Sequence, residues 1–376
     1  MMSDSILAPF IPYRTDFLAR FFMYTCQGNP VYVALLYFLL STGGLYLLGW
    51  LTGQLKGKNG LPPMYTNIVD NLNIGLLAPI GAGLLCQLYK CITHAVAYIE
   101  TNPIISDSSA RDLQHLLGRI DTLYNGYAPI VLALFISLAI NVFTFFAKKT
   151  SWLSYKAGIT GVYGRLIVIL NFFMIALVLY KCAVTTWFLN HLFSLDIIIQ
   201  PMHPDRSGGL KPIGDLAVTM TYFILLLIVY VSMLVVFDRF AVRKKGFILI
   251  FIFLYLAAPV LLFLPLSGAH GKMVEAKSRE MQFIDELYQR EYSNFKACAQ
   301  DNELAALEAT NLLNIGQLYA KAQELPEWPF DIGSMLRMFS VFVLPVGIFL
   351  FEQVMSRDSL LREWLLRRIK SRETVA

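Results

Sequence analysis

Residues 203–210 read His203-Pro204-Asp205-Arg206-Ser207-Gly208-Gly209-Leu210, and residues 216–237 read LAVTMTYFILLLIVYVSMLVVF. The second stretch carries no charged side chain, and a helix of about 20 apolar residues crosses roughly 30 Å of hydrocarbon. A comparable run, Leu166 to Leu189, precedes the first stretch. The densest polar motif of the chain therefore lies between two runs of membrane-spanning length, and the fold is read outward from it.

Composition points the same way. Of 376 residues, 56% are hydrophobic and 15% charged, against about a quarter charged in soluble domains. A mean hydropathy of +0.56 exceeds what a water-solvated core can absorb. A bilayer accommodates it, provided the backbone polar groups are satisfied within helices. The net charge of +5 comes from short basic clusters beside apolar runs, where such residues orient helices. That pattern argues against a nucleic-acid partner. The five cysteines form no CxxC pair. No secretory leader precedes the first long run, so the first helix is expected to insert and stay.

Seven runs have spanning character: Val31 to Thr52, Leu72 to Tyr98, Tyr127 to Ala147, Leu166 to Leu189, Leu216 to Phe237, Phe247 to Leu266 and Leu336 to Glu352. The fold class expected is an all-α polytopic membrane bundle. Residues 1–30 form an interfacial segment with Phe17, Leu18, Phe21 and Phe22, residues 31–267 hold six spans, and residues 335–355 form the seventh. In the second span Gly75, Pro79, Gly81 and Gly83 leave two arrangements open, a continuous helix and a break into two half-helices. Residues 268–334 show two amphipathic series, through Met281, Ile284, Tyr288 and Tyr292 and through Leu307, Ile315, Leu318 and Ala322. They predict an extracytoplasmic helical hairpin that either caps or homo-oligomerises the membrane domain or serves as a sensor or partner-binding element. A basic tail helix, residues 356–376, suits the anionic cytoplasmic leaflet, with membrane lipid as its partner.

Orientation follows from the basic residues. Lys56 and Lys58, then Lys148, Lys149, Lys156 and Arg165, then Arg239, Arg243, Lys244 and Lys245 mark alternate loops, and the tail adds Arg357, Arg362, Arg367, Arg368, Lys370 and Arg372. These loops are assigned to the cytoplasm, which puts the N-terminus outside, the C-terminus inside and the chain in a bacterial cytoplasmic membrane.

On this topology the His203 loop faces outward, and three readings of it compete. It is a well-made turn, since Pro204 fixes its own φ and Gly208 and Gly209 permit positive φ. It is an anion or ligand site formed by His203, Asp205, Arg206 and the amides around Ser207, Gly208 and Gly209. Or it is a metal site in which His203 and Asp205 join His94, His191 and His270 around a divalent ion such as zinc. All five histidines fall on the outer side or at helix ends that face it. Lys90 and Lys181, each within a Tyr-Lys-Cys triplet, are expected to snorkel to the interface and to leave no buried charge. Proline kinks at Pro79, Pro259, Pro265 and Pro345 are a feature of broken transporter helices. No GxSxG, Walker-type or zincin motif occurs, so no catalytic residue is assigned.

The string His203-Pro204-Asp205-x-x-Gly208-Gly209-Leu210 with Asp215 before a span resembles a loop of uncharacterised bacterial multi-spanning membrane proteins. The resemblance covers about a dozen residues and implies no activity. The function expected is that of a channel, transporter or membrane sensor with an extracytoplasmic ligand or ion site. The alternatives are a metal-dependent membrane enzyme and a partner-binding scaffold.

Overall fold

The computed structural model describes residues 10–57, 63–66, 68–102, 104–147, 158–200, 203, 205, 207–237, 253, 255–256, 263–297, 302–329, 343 and 347. Apart from one isolated antiparallel bridge between Ile105 and Ile197, the regular structure among these residues is helical. The protein is an all-α bundle, and five of its helices are long and apolar enough to cross a membrane: Pro30–Thr52, Asp70–Thr101, Ala110–Val142, Ile159–Leu192 and Lys211–Met233. Most of the expected sixth span and nearly all of the seventh lie outside the described residues. So do Arg206, the tail and most of the basic residues used to orient the chain.

Helix α1 (Phe17–Thr25) starts at Asp16, whose carboxylate accepts from the amides of Leu18 and Ala19 at 3.1 Å each. This is the usual service of an acidic N-cap to a helix's unpaired first donors. Leu18, Ala19 and Phe22 bury one face of α1 while Phe17 and Phe21 stay exposed. The first span joins α2 (Pro30–Phe38) and α3 (Gly44–Thr52) through a π turn at Leu39–Gly43. The second joins α4 (Ile68–Leu72) and α5 (Ala78–Thr101) through another at Asn73–Leu77.

The second span is thus continuous, which decides between the two arrangements that its glycines and proline leave open. A proline ring collides with the carbonyl four residues earlier, here Gly75, and a wider π turn relieves that collision without ending the helix. The first span supports the irregular backbone: Ser41 and Thr42 each donate a side-chain hydroxyl to the Ile74 carbonyl at 3.3 Å. In lipid, a neighbouring hydroxyl is what makes such a turn tolerable.

After the second span come α6 (Ala110–Asn125), which buries Leu116, Leu117, Ile120 and Tyr124, and α7 (Ala128–Ala147). The fourth span is α8 (Ile159–Leu192) and the fifth is α9 (Lys211–Phe237). The expected hairpin is present as α10 (Ser267–Ala297) and α11 (Asn302–Gln323), closed over Ile284, Ile315, Ala322 and Leu325. Tyr288 and Tyr292, expected in its seam, are instead exposed and stack on each other with ring centroids 6.1 Å apart.

Lys181 departs from expectation. It is 1% exposed and does not snorkel. Its ammonium donates to the Tyr124 carbonyl and lies 4.3 Å from the Tyr124 ring centroid and 5.9 Å from that of Tyr89. Tyr89 in turn donates its hydroxyl to Asp16 at 2.7 Å. A buried acid and a buried base, linked through two phenol rings, thereby tie α1 to the second and fourth spans. Lys90, in the matching triplet, is exposed. The two triplets occupy different helical faces and are not structurally equivalent.

Candidate functional site

The His203 loop closes on itself. One Asp205 carboxylate oxygen accepts from the amides of Ser207 at 2.9 Å and Gly209 at 3.1 Å, and the other from the Lys211 amide at 3.4 Å. The His203 Nδ1 lies 2.8 Å from the same carboxylate and 3.3 Å from the Asp205 amide. The shorter contact makes the ring nitrogen a donor to the carboxylate. Burial pushes the Asp205 carboxyl upward, but the Ser207 and Gly209 amides, the His203 ring and the Lys211 amide together outweigh it. The carboxyl is held below its ordinary range.

Gly208 and Gly209 take φ of +65° and +83°, which explains two glycines in succession at this place. A Cβ at Gly208 would stand 2.9 Å from the Ile199 side chain. The loop therefore starts α9, rests on Met273 of α10 and faces Tyr98 near the end of α5. It fastens three elements together. Of the amides expected to cradle an anion, those of Ser207 and Gly209 have the chain's own carboxylate as their partner.

The candidate metal ligands are distributed as follows. His203 and Asp205 meet, as described. His191 sets its Nδ1 2.9 Å from the Trp187 carbonyl and packs on the Trp187 ring with centroids 4.6 Å apart. His270 sets its Nδ1 2.7 Å from the Glu327 carbonyl and stacks on Trp328 with centroids 4.2 Å apart. These two imidazoles pin helix ends. No group of three His, Cys, Asp or Glu side chains gathers in metal-binding range among the described residues.

His94 is the exception, because it lines a cavity. At the loop end of the bundle, a space of about 430 Å³ lies between α5 and α9, walled by Gln87, Lys90, Cys91 and His94 from one helix and Pro212, Asp215, Val218, Thr219 and Tyr222 from the other. The α5 residues fall at helical spacings of three and four, so they share one face, and Asp215, Thr219 and Tyr222 do the same on α9. Cys91 Sγ and Thr219 Oγ1 approach to 3.4 Å, and Gln87 donates to Cys91 Sγ at 3.4 Å. The wall thus offers an ammonium, a carboxylate, an imidazole, a carboxamide and a hydroxyl within otherwise apolar spans.

Of this set the sequence offers His94 as a metal ligand, Lys90 as a snorkelling lysine and Asp215 beside the loop, but not their meeting on one wall. The usable signal was the polar stripe Gln87-Lys90-Cys91-His94 along one face of an apolar run. It becomes meaningful only once α9 is known to present Asp215 and Thr219 to it. Compared with known protein families, with curated proteins and with solved structures, the chain finds no match.

Proposed function

We propose that this membrane protein is a channel or transporter of a bacterial cytoplasmic membrane that admits a small polar solute or ion to the cavity between α5 and α9. The observation that carries this reading is the wall of that cavity, with Lys90, His94 and Asp215 around about 430 Å³. Ionisable side chains within spanning helices are costly, and where they occur they mark solute and ion paths. One positive and one negative group on facing helices suit a zwitterion or a hydrated ion better than an apolar ligand. The positive-inside argument turns this end of the bundle away from the cytoplasm. The π turn of the second span, on the helix that supplies Lys90 and His94, supports the reading, since such turns frequently accompany function.

The His203 loop has a supporting part in this proposal. By fixing the start of α9 it sets where Asp215 and Thr219 stand relative to α5. The test is flux in liposomes containing purified protein, measured with a panel of small cations, anions and amino acids. At least one solute should equilibrate faster than in protein-free liposomes, with Asp215→Asn and Lys90→Gln each slowing it tenfold or more (about 1.4 kcal/mol per tenfold). Flux that is unchanged in both variants would overturn the assignment of the cavity.

A further inference from the structure

A second cavity lies deeper, between α5, α8 and α9, and its character is opposite. It encloses about 50 Å³ and is walled mainly by apolar side chains, among them Leu77, Met174, Val178, Phe223 and Leu227. Among the described residues, those that line it carry no charge. Asn171 contributes to this wall, is 5% exposed, and its Nδ2 is buried without a hydrogen-bond partner. The other end of the same amide is taken, because Tyr37 donates its hydroxyl to Asn171 Oδ1. The amide is therefore held in place by its oxygen, with the N–H donors of Nδ2 left over.

Donors left unpaired at membrane depth cost several kcal/mol. A buried water normally makes about three hydrogen bonds, and the lining sets its polar side chains, Asn73, Asn171 and Tyr230, on three different helical segments among apolar ones. An uncharged molecule with an acceptor oxygen and an apolar body gives Asn171 Nδ2 a partner and fills the apolar remainder of the cavity. The π turn Asn73–Leu77 bears on the same place, since Asn73 and Leu77 from its two ends line the cavity. Leu179, also on the wall, is 41% exposed, which gives the cavity a side exit along which a chain can leave.

We propose that this cavity is a binding site for the carbonyl end of an uncharged amphiphile, with Asn171 Nδ2 donating to the carbonyl oxygen. The volume holds the carbonyl and the carbons next to it, and the remainder of the chain passes out beside Leu179. The carbonyl can come from the ester of a bilayer lipid or from a free lipophilic ketone or quinone. The site is independent of the polar cavity, and its failure would leave the proposed transport function standing.

The test is photolabelling of the full-length protein in nanodiscs with two diazirine probes of equal chain length, an alkyl methyl ketone and an alkane, mapped by mass spectrometry. The ketone should label the peptides covering residues 171–179 and 223–230 about fivefold more than the alkane, the ratio one ordinary hydrogen bond supplies. The Tyr37→Phe/Asn171→Leu double variant removes both partners of the pair without leaving either unpaired. It should fold, and the preference should vanish. Met174→Trp, which fills the cavity from another wall, should reduce labelling by both probes. Equal labelling by ketone and alkane in the unaltered protein, as a water-filled or empty cavity would give, overturns the proposal, and so does a preference that survives the double variant. Nanodiscs of ether lipids separate the two sources: severalfold stronger ketone labelling there identifies the bilayer ester as the natural occupant, and unchanged labelling identifies a free amphiphile.

Discussion

Replacing Asp205 tests whether the His203 loop is a structural latch. Its carboxylate accepts from the amides of Ser207 at 2.9 Å, Gly209 at 3.1 Å and Lys211 at 3.4 Å and meets the His203 ring at 2.8 Å, with the Asp205 side chain 13% exposed. Hydrogen bonds to a charged partner are each worth about 1.5–3 kcal/mol, and buried donors left behind cost a comparable amount. The Lys211 contact is long and the His203 ring is partly exposed, so both contribute less. Asp205→Ala should therefore destabilise by about 3 kcal/mol, and Asp205→Asn, which keeps one acceptor oxygen, by about half of that.

The pH dependence follows from the lowered carboxyl. The folded protein binds the Asp205 proton less tightly than the unfolded chain does. Its contribution to stability is complete above the ordinary carboxylate value of about 4 and is lost as pH falls through the lower folded value. The assay is SDS-induced unfolding from mild-detergent micelles, followed by circular dichroism at several pH values. Asp205→Asn should lack part of the acid sensitivity of the unaltered protein. An Asp205→Ala variant that unfolds at the same SDS fraction, or at a higher one, would refute the latch and favour a ligand role for the carboxylate.

Gly208→Ala should cost about 2 kcal/mol or more and Gly209→Ala about 1 kcal/mol, because both positions have positive φ but only Gly208 has a side chain, Ile199, within 2.9 Å of the new Cβ; SDS midpoints give the order. In the first pair of spans, a Cβ at Gly83 would stand 2.6 Å from the Pro30 carbonyl oxygen, whereas one at Gly118 in α6 meets nothing within 4 Å. Gly83→Ala should destabilise by about 2 kcal/mol and Gly118→Ala should stabilise by about 0.5–1 kcal/mol, read in the same titration. Asp16→Ala removes the cap of α1 and the partner of the Tyr89 hydroxyl. It should cost about 2–3 kcal/mol and speed tryptic cleavage at Arg20, and unchanged cleavage would contradict the Asp16–Tyr89 tie.

The apolar runs at 31–52, 72–98, 166–189 and 216–237 were readable because spanning length is a property of consecutive residues. The hairpin was readable from its three-and-four spacing. Pro79 left the continuity of the second span open, since a sequence shows that a proline removes a hydrogen bond but not that Ser41 and Thr42 of another span stand ready to support the turn. Lys181 was misread for a related reason. Its burial depends on Tyr124, Tyr89 and Asp16, which lie 57 or more positions away. The loop's glycines pointed correctly to positive φ. That Asp205 would fill the loop's own amides follows from geometry, which composition does not encode. The polar cavity needs two helices at once, and one sequence displays them one after the other.

Side-chain accessibility in the polar cavity tests the functional account most directly. In a cysteine-free background, His94→Cys, Lys90→Cys and Met174→Cys are each exposed to a charged, membrane-impermeant thiol reagent in sealed vesicles of known orientation. The account predicts rapid labelling at positions 90 and 94 from the extracytoplasmic side, slowed by the transported solute, and no labelling at position 174 in the apolar cavity. Labelling at 90 and 94 no faster than at 174, or only from the cytoplasmic side, would contradict it.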